Sequence, residues 1–196
     1  MTRGISRYSA ACALGLFLLL LRPVHAADDA LDKMLAGLAG HPHGEVRFSE
    51  ETHSQLLTHP VHSSGMLRFD APDRLEKQTQ LPAAEDLIVD GDTVTIVRGH
   101  HQNSIRLGDY PELSSLLEGI RATLGGNRAA LEQHFQIAFS PVKSGWDLRL
   151  APLPTAVHPG FRTIVIHGHD DVLETVALEQ SNGDHDLITL SPATPE

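Results

Sequence analysis

Histidine is the residue type in this 196-residue chain with the most obvious capacity for chemistry, at 13 copies. His167-Gly168-His169 has the spacing that sets two imidazoles on one face of a strand, and Asp170 and Asp171 follow directly. His41-Pro42-His43 and His100-His101 are further pairs. The chemistry would be zinc binding, which takes three or four converging ligands at characteristic spacings. No His-Glu-x-x-His run and no cysteine-containing set accompanies the pairs. They read as turn histidines, and no metal ligand is assigned. Nucleophilic catalysis has less to build on. Ser63-Ser64-Gly65 lacks the Gly-x-Ser-x-Gly turn that exposes a serine nucleophile, and the Asp and Glu residues are scattered over turns and polar strand positions. No catalytic residue and no cofactor are assigned, and the chain is read as a non-enzyme.

The two ends bound what remains. Arg3 and Arg7 precede an apolar run from Ala10 to Leu21, and Val24-His25-Ala26 offers small residues at the positions a signal peptidase reads. A run of this length falls short of the ~20 residues that span a bilayer. Residues 1–26 are therefore expected to be a cleaved secretory signal, placing residues 27–191 as one domain in the periplasm, with a flexible tail at 192–196. Cys12 lies before the apolar run, where lipid attachment makes no mechanical sense, and cleavage removes it as the only cysteine. Losing Arg3, Arg7 and Arg22 shifts the formal net charge from −10 to −13. So acidic a chain is repelled by nucleic-acid phosphates and anionic head groups, and nucleic-acid binding is excluded.

The elements follow from periodicity. Leu31, Leu35 and Leu38 predict an amphipathic helix over Asp28–Leu38 with Gly40 as its stop. Period-2 alternation then puts Val46 and Phe48 on one strand face and Leu67 with Phe69 on another. Strands are expected at Arg74–Gln80, Asp86–Val89 and Thr93–Val97, with Asp90-Gly91 as a hairpin turn; a short one at Asn103–Leu107 follows. Leu113, Leu116, Leu117, Ile120 and Leu124 form a helical stripe that opens on Tyr110-Pro111 and ends at Gly125-Gly126. Asn127 reads as the N-cap of a short helix through His134. Strands resume at Phe135–Phe139, Trp146–Leu150, Phe161–His167, Leu173–Glu179 and His185–Leu190. The sum is an α+β domain, mostly antiparallel β, whose long sheet must curl. A helix over the concave side either closes a core or roofs an apolar cavity.

The run Gly65, Leu67, Phe69, Pro72, Arg74, Leu75, then Leu87-Ile88-Val89-Asp90-Gly91 and Val94, resembles the periplasmic outer-membrane lipoprotein carrier (LolA-like) family. The order of signal, helix, strands, a Pro111-Glu112-Leu113 helix with Leu116 and Leu117, and further strands resembles it too. The resemblance implies an unclosed (half) β-barrel covered by helices, carrying the acyl chains of lipoproteins or other lipid cargo. The implied partners are an inner-membrane exporter and an outer-membrane acceptor, and the carrier is expected as a monomer. On this resemblance the cavity candidates are Val46, Phe48, Leu67, Phe69, Leu75, Leu87, Val89, Val94 and Ile96, residues that periodicity alone reads as ordinary core. The lid candidates are Leu113, Leu116, Leu117, Ile120 and Leu124. Arg68 and Arg74 are the polar latch candidates.

Two positions depart from the family pattern. Ala71 stands where the family usually has an arginine before the motif proline, one that bonds into the lid helices. Glu76, Lys77 and Gln78 occupy the stretch where an aromatic residue often follows. The cargo therefore stays open between lipoproteins and other envelope lipids, polyene or glycolipid products among them. A lipid-sensing or scaffold protein of the same fold is the alternative reading, with a metal-dependent periplasmic enzyme behind it.

Overall fold

A computed structural model describes residues 24–155 and 160–193. Residues 1–23, the bulk of the expected signal, lie outside the described residues, as do 156–159 and 194–196. The chain runs α1 (Val24–Ala39), β1 (His43–His53), β2 (Val61–Asp70), β3 (Arg74–Leu81), β4 (Glu85–Asp90), β5 (Thr93–Arg98), β6 (His101–Arg106), α2 (Pro111–Leu124), α3 (Arg128–His134), β7 (Phe135–Val142), β8 (Gly145–Pro152), β9 (Phe161–His169), β10 (Val172–Gln180) and β11 (His185–Pro192). All eleven strands form one sheet in the order β6-β5-β4-β3-β2-β1-β11-β10-β9-β8-β7, and every neighbouring pair is antiparallel. The expected α+β fold with an unclosed sheet is what the chain adopts. The first and last strands meet at the centre, and β6 and β7 are the free edges. The segment from α2 to α3 joins those two edges, so the connection that crosses the gap is the helical cover itself.

Local chemistry explains the boundaries. Proline opens α2, where the missing N–H costs nothing. Asn127 caps α3 by accepting from the Ala130 N–H at 3.0 Å. Gly91 turns the β4–β5 hairpin at φ 55°, a conformation that suits glycine. Strands β1 and β2 extend past their apolar residues to His53 and Val61, because pairing such as Glu50 with Ser63 continues the ladder through polar positions. The loop between them is pinned to the β10–β11 turn: Asp184 accepts from Ser54 Oγ and from the Gln55 N–H, both at 2.9 Å. These bonds hold the Asp184 carboxyl below its ordinary carboxylate value.

Two apolar clusters cover the concave face. The larger joins Leu31, Met34, Leu35 and Leu38 of α1 to Leu131, Phe135, Trp146, Leu148, Leu150, Phe161, Ile164 and Ile166. The smaller joins Leu117 of α2 and Leu107 to Val89 and Val94. Helix α2 takes part in both, since Ala122 belongs to the first. Gly119 lets it sit close: a Cβ there would lie 3.0 Å from the Phe135 ring and 3.3 Å from Ile164. Among the described residues, no helix is long and apolar enough to cross a membrane.

Candidate functional site

Strand register assembles the concave face from residues far apart in sequence. One row runs Gly44, Phe69, Leu75, Val89, Val94, Ile105 across six strands. The next runs Val46, Leu67, Lys77, Leu87, Ile96 across five. All nine cavity candidates thus share one side of the sheet, Phe48 lying one row further on opposite Gly65. Their packing divides them. Phe48, Phe69, Val89 and Val94 are buried, the last two almost completely. Val46, Leu67, Leu75, Leu87 and Ile96 are only half-buried, an apolar floor that the helices leave partly open.

Helix α2 lies over the buried row. Leu117 is sealed against Val89 and Val94, and Leu113 packs beside it. Leu116 packs on the larger cluster. Ile120 and Leu124 are half-buried. Further along the same face, α1, α3 and β7 frame a groove of about 460 Å³ lined by Leu31, Phe135, Ile137 and Phe139, with Asp28, Arg128 and Glu132 among its polar lining. Arg128 clasps the two helices there, 2.9 Å from Asp28, 2.9 Å from Asp32 and 2.7 Å from Glu132. The hydrogen bonds it donates to those three carboxylates raise its pKa above the ordinary arginine value.

A polar contact between α2 and the sheet comes from a residue the sequence did not single out. Arg121 of α2 donates through Nη2 to two main-chain oxygens, that of Asp73 in the β2–β3 bend and that of Gly91 in the β4–β5 turn, the latter at 2.8 Å. Its Nε is buried with no hydrogen-bond partner among the described residues. Leu113, Leu117 and Arg121 fall at i, i+4 and i+8, so an arginine standing in an apolar helical stripe was the available signal.

Arg68 and Arg74 sit on the opposite, convex face. Arg68 pairs with Glu45 at 2.8 Å and Glu76 at 3.5 Å, and its bond to Glu45 raises its pKa. Arg74 reaches Glu76 at 3.5 Å and Asp90 at 3.3 Å. The register brings neither to the apolar floor.

His41, His43, His167 and His169 each pair with a carboxylate. His167 and His169 both face Glu174, at 3.3 and 3.2 Å, and His167 is 2.7 Å from Asp147. The intervening Gly168 is required because the Trp146 ring lies on it, 2.6 Å from where a Cβ would stand. His41 bonds Asp171 at 2.7 Å, which lowers that carboxyl's pKa and ties the end of α1 to the β9–β10 turn. Among the described residues no group of three or more His, Cys, Asp or Glu could hold a metal ion.

Comparison with known proteins gives the following. None of the curated proteins matches the sequence. Among solved structures, a LolA superfamily protein from Nitrosomonas europaea is similar at 12% identity and TM-score 0.47, over 84% of this chain and 91% of that one. Lipoprotein LppX of Mycobacterium tuberculosis is similar at 10% identity and TM-score 0.41, over 84% and 94%. A putative outer membrane lipoprotein-sorting protein domain from Vibrio parahaemolyticus is similar at 9% and 0.41, over 84% and 91%. The family described as outer membrane lipoprotein carrier protein LolA-like matches residues 24–195. With that match covering the whole sheet and its helical cover, the chain belongs to the LolA-like family of outer membrane lipoprotein carrier proteins.

Proposed function

We propose that this protein is a periplasmic carrier that shields the acyl chains of a lipoprotein or another envelope lipid and hands them toward the outer membrane. The observation that carries the reading is the half-buried row Val46, Leu67, Leu87 and Ile96 on the concave face, beside a helix fastened by one arginine. An ordinary core would seal such a row. Family membership supports the same reading. The hand-over partners would be an inner-membrane exporter and an outer-membrane acceptor, and no covalent step is required.

The energetics suit transient storage. Each methylene withdrawn from water is worth about 0.8 kcal/mol, so a chain burying on the order of ten methylenes gains about 8 kcal/mol. Opening the cover breaks the two bonds of the charged Arg121, each with a net worth of about 1.5–3 kcal/mol, while the burial that Leu117 loses against Val89 and Val94 is replaced by the incoming chain. Cargo therefore outweighs the latch, and a membrane that offers the same burial can take the chains back. The test is mass spectrometry of natively purified protein. Bound acylated lipid released by organic extraction is expected, together with saturable binding of a fluorescent fatty acyl probe. Lipid-free protein with no affinity for such probes would sink the carrier reading and favour a scaffold role for the fold.

A further inference from the structure

Besides the Glu85–Arg98 pair, which the register places on the same face, a charged pair is set into the apolar rows themselves, which a surface for acyl chains alone does not need. Lys77 stands in the row between Leu67 and Leu87, and its ammonium reaches along the concave face to Glu50 Oε2 at 2.6 Å. Ser63 donates to the same oxygen at 2.6 Å. The ammonium also lies 5.0 Å from the centre of the Phe48 ring, a favourable position for a cation over a π face. The lysine side chain keeps 28% of its exposure and the glutamate 14%. Withdrawing two charges from water onto an apolar floor costs desolvation that their attraction rarely repays in full. Replacing such a pair with apolar residues is often neutral or stabilising, so stability does not explain it.

We propose that Glu50, Ser63 and Lys77 form a head-group site for a zwitterionic phospholipid of the phosphate-and-ammonium kind, its chains lying over the apolar floor. The inference rests on the carrier reading and names its ligand class. A lysine has three donors and one carboxylate here, so it can turn to a phosphate oxygen. Glu50 then takes the ligand's ammonium, with the Ser63 hydroxyl still donating to it. One internal pair becomes two matched pairs, and no net charge is added to the half-buried site. An anionic head lacking the ammonium would bring a second negative charge beside Glu50, and a head without phosphate would leave Lys77 nothing to gain.

The experiment measures affinities of the intact mature protein for phosphatidylethanolamine, phosphatidylglycerol and diacylglycerol with identical chains, delivered as short-chain monomers. Wild-type protein is expected to bind phosphatidylethanolamine best. Lys77→Met should weaken phosphatidylethanolamine about tenfold relative to diacylglycerol, the worth of one charge-assisted hydrogen bond, and retained diacylglycerol binding also shows that the variant folds. Glu50→Gln should weaken phosphatidylethanolamine and strengthen phosphatidylglycerol. Equal wild-type affinity for the three lipids, or a preference that survives Lys77→Met, overturns the head-group site while the carrier reading stands. Free phosphoethanolamine competing as well as the lipid also overturns it. Wild-type protein that binds none of the three overturns the carrier reading, and the site with it.

Discussion

At the scale of single residues, Arg121 adds a polar contact between cover and sheet to the apolar packing. Its Nη2 alone serves the oxygens of Asp73 and Gly91 together, so truncation strands two carbonyls at once. Arg121→Met is expected to destabilise the protein by about 1–3 kcal/mol, the cost of leaving such groups unpaired, and to quicken release of a bound acyl probe. Chemical denaturation and stopped-flow release check both halves. The family resemblance led attention to the residue before Pro72, which is Ala71, while the side chain that bridges the same bend approaches from the helix. Periodicity could not reveal this. It shows which helical face is apolar, and an arginine on that face is conspicuous only once the stripe has been counted through to position 121. Lys77 was hidden for a related reason: alternation places it with Leu75 and Thr79, but its apolar neighbours Leu67 and Leu87 come from other strands.

At the scale of elements, legibility followed local punctuation. Tyr110-Pro111 and Gly125-Gly126 bracket α2 in sequence as they do in the structure, and Asp90-Gly91 makes the expected hairpin. The distal halves of β1 and β2 were not legible, since Glu50, Glu51 and Thr52 carry no apolar signal and pair only because the ladder continues past Phe48. Gly119 was also silent, for a helical glycine has no pattern to betray it. Its meaning lies in the approach of α2 to Phe135 and Ile164. Gly119→Val should force the helix away from the sheet and cost about 1–3 kcal/mol, as overpacking does. Hydrogen exchange should then show faster opening across α2 than across β8 and β9. Unchanged protection of α2 would mean that the helix has slack to absorb the methyl groups.

At the scale of the whole molecule, the sheet order makes β11 the joint between two halves, β1–β6 on one side and β7–β10 on the other. Neither half carries a complete core of its own, since α2 contributes to both clusters. A chain ending at Asp184 is therefore expected to lose cooperative unfolding altogether, read by circular dichroism against temperature, rather than to lose a single strand. Strand count and antiparallel class were legible from the sequence. The central meeting of first and last strands was not, because pairing over so long a separation leaves no local trace. The gap between β6 and β7 has a consequence of its own. A closed barrel hides every ladder bond, whereas this sheet ends in two rims of unused main-chain donors and acceptors, which invite strands from other molecules. The rims are written accordingly. His101-Gln102-Asn103-Ser104 gives β6 little that another chain would gain by burying, and Pro141 gives β7 a position with no N–H to offer. The gap between β6 and β7 thus carries its own deterrent to aggregation.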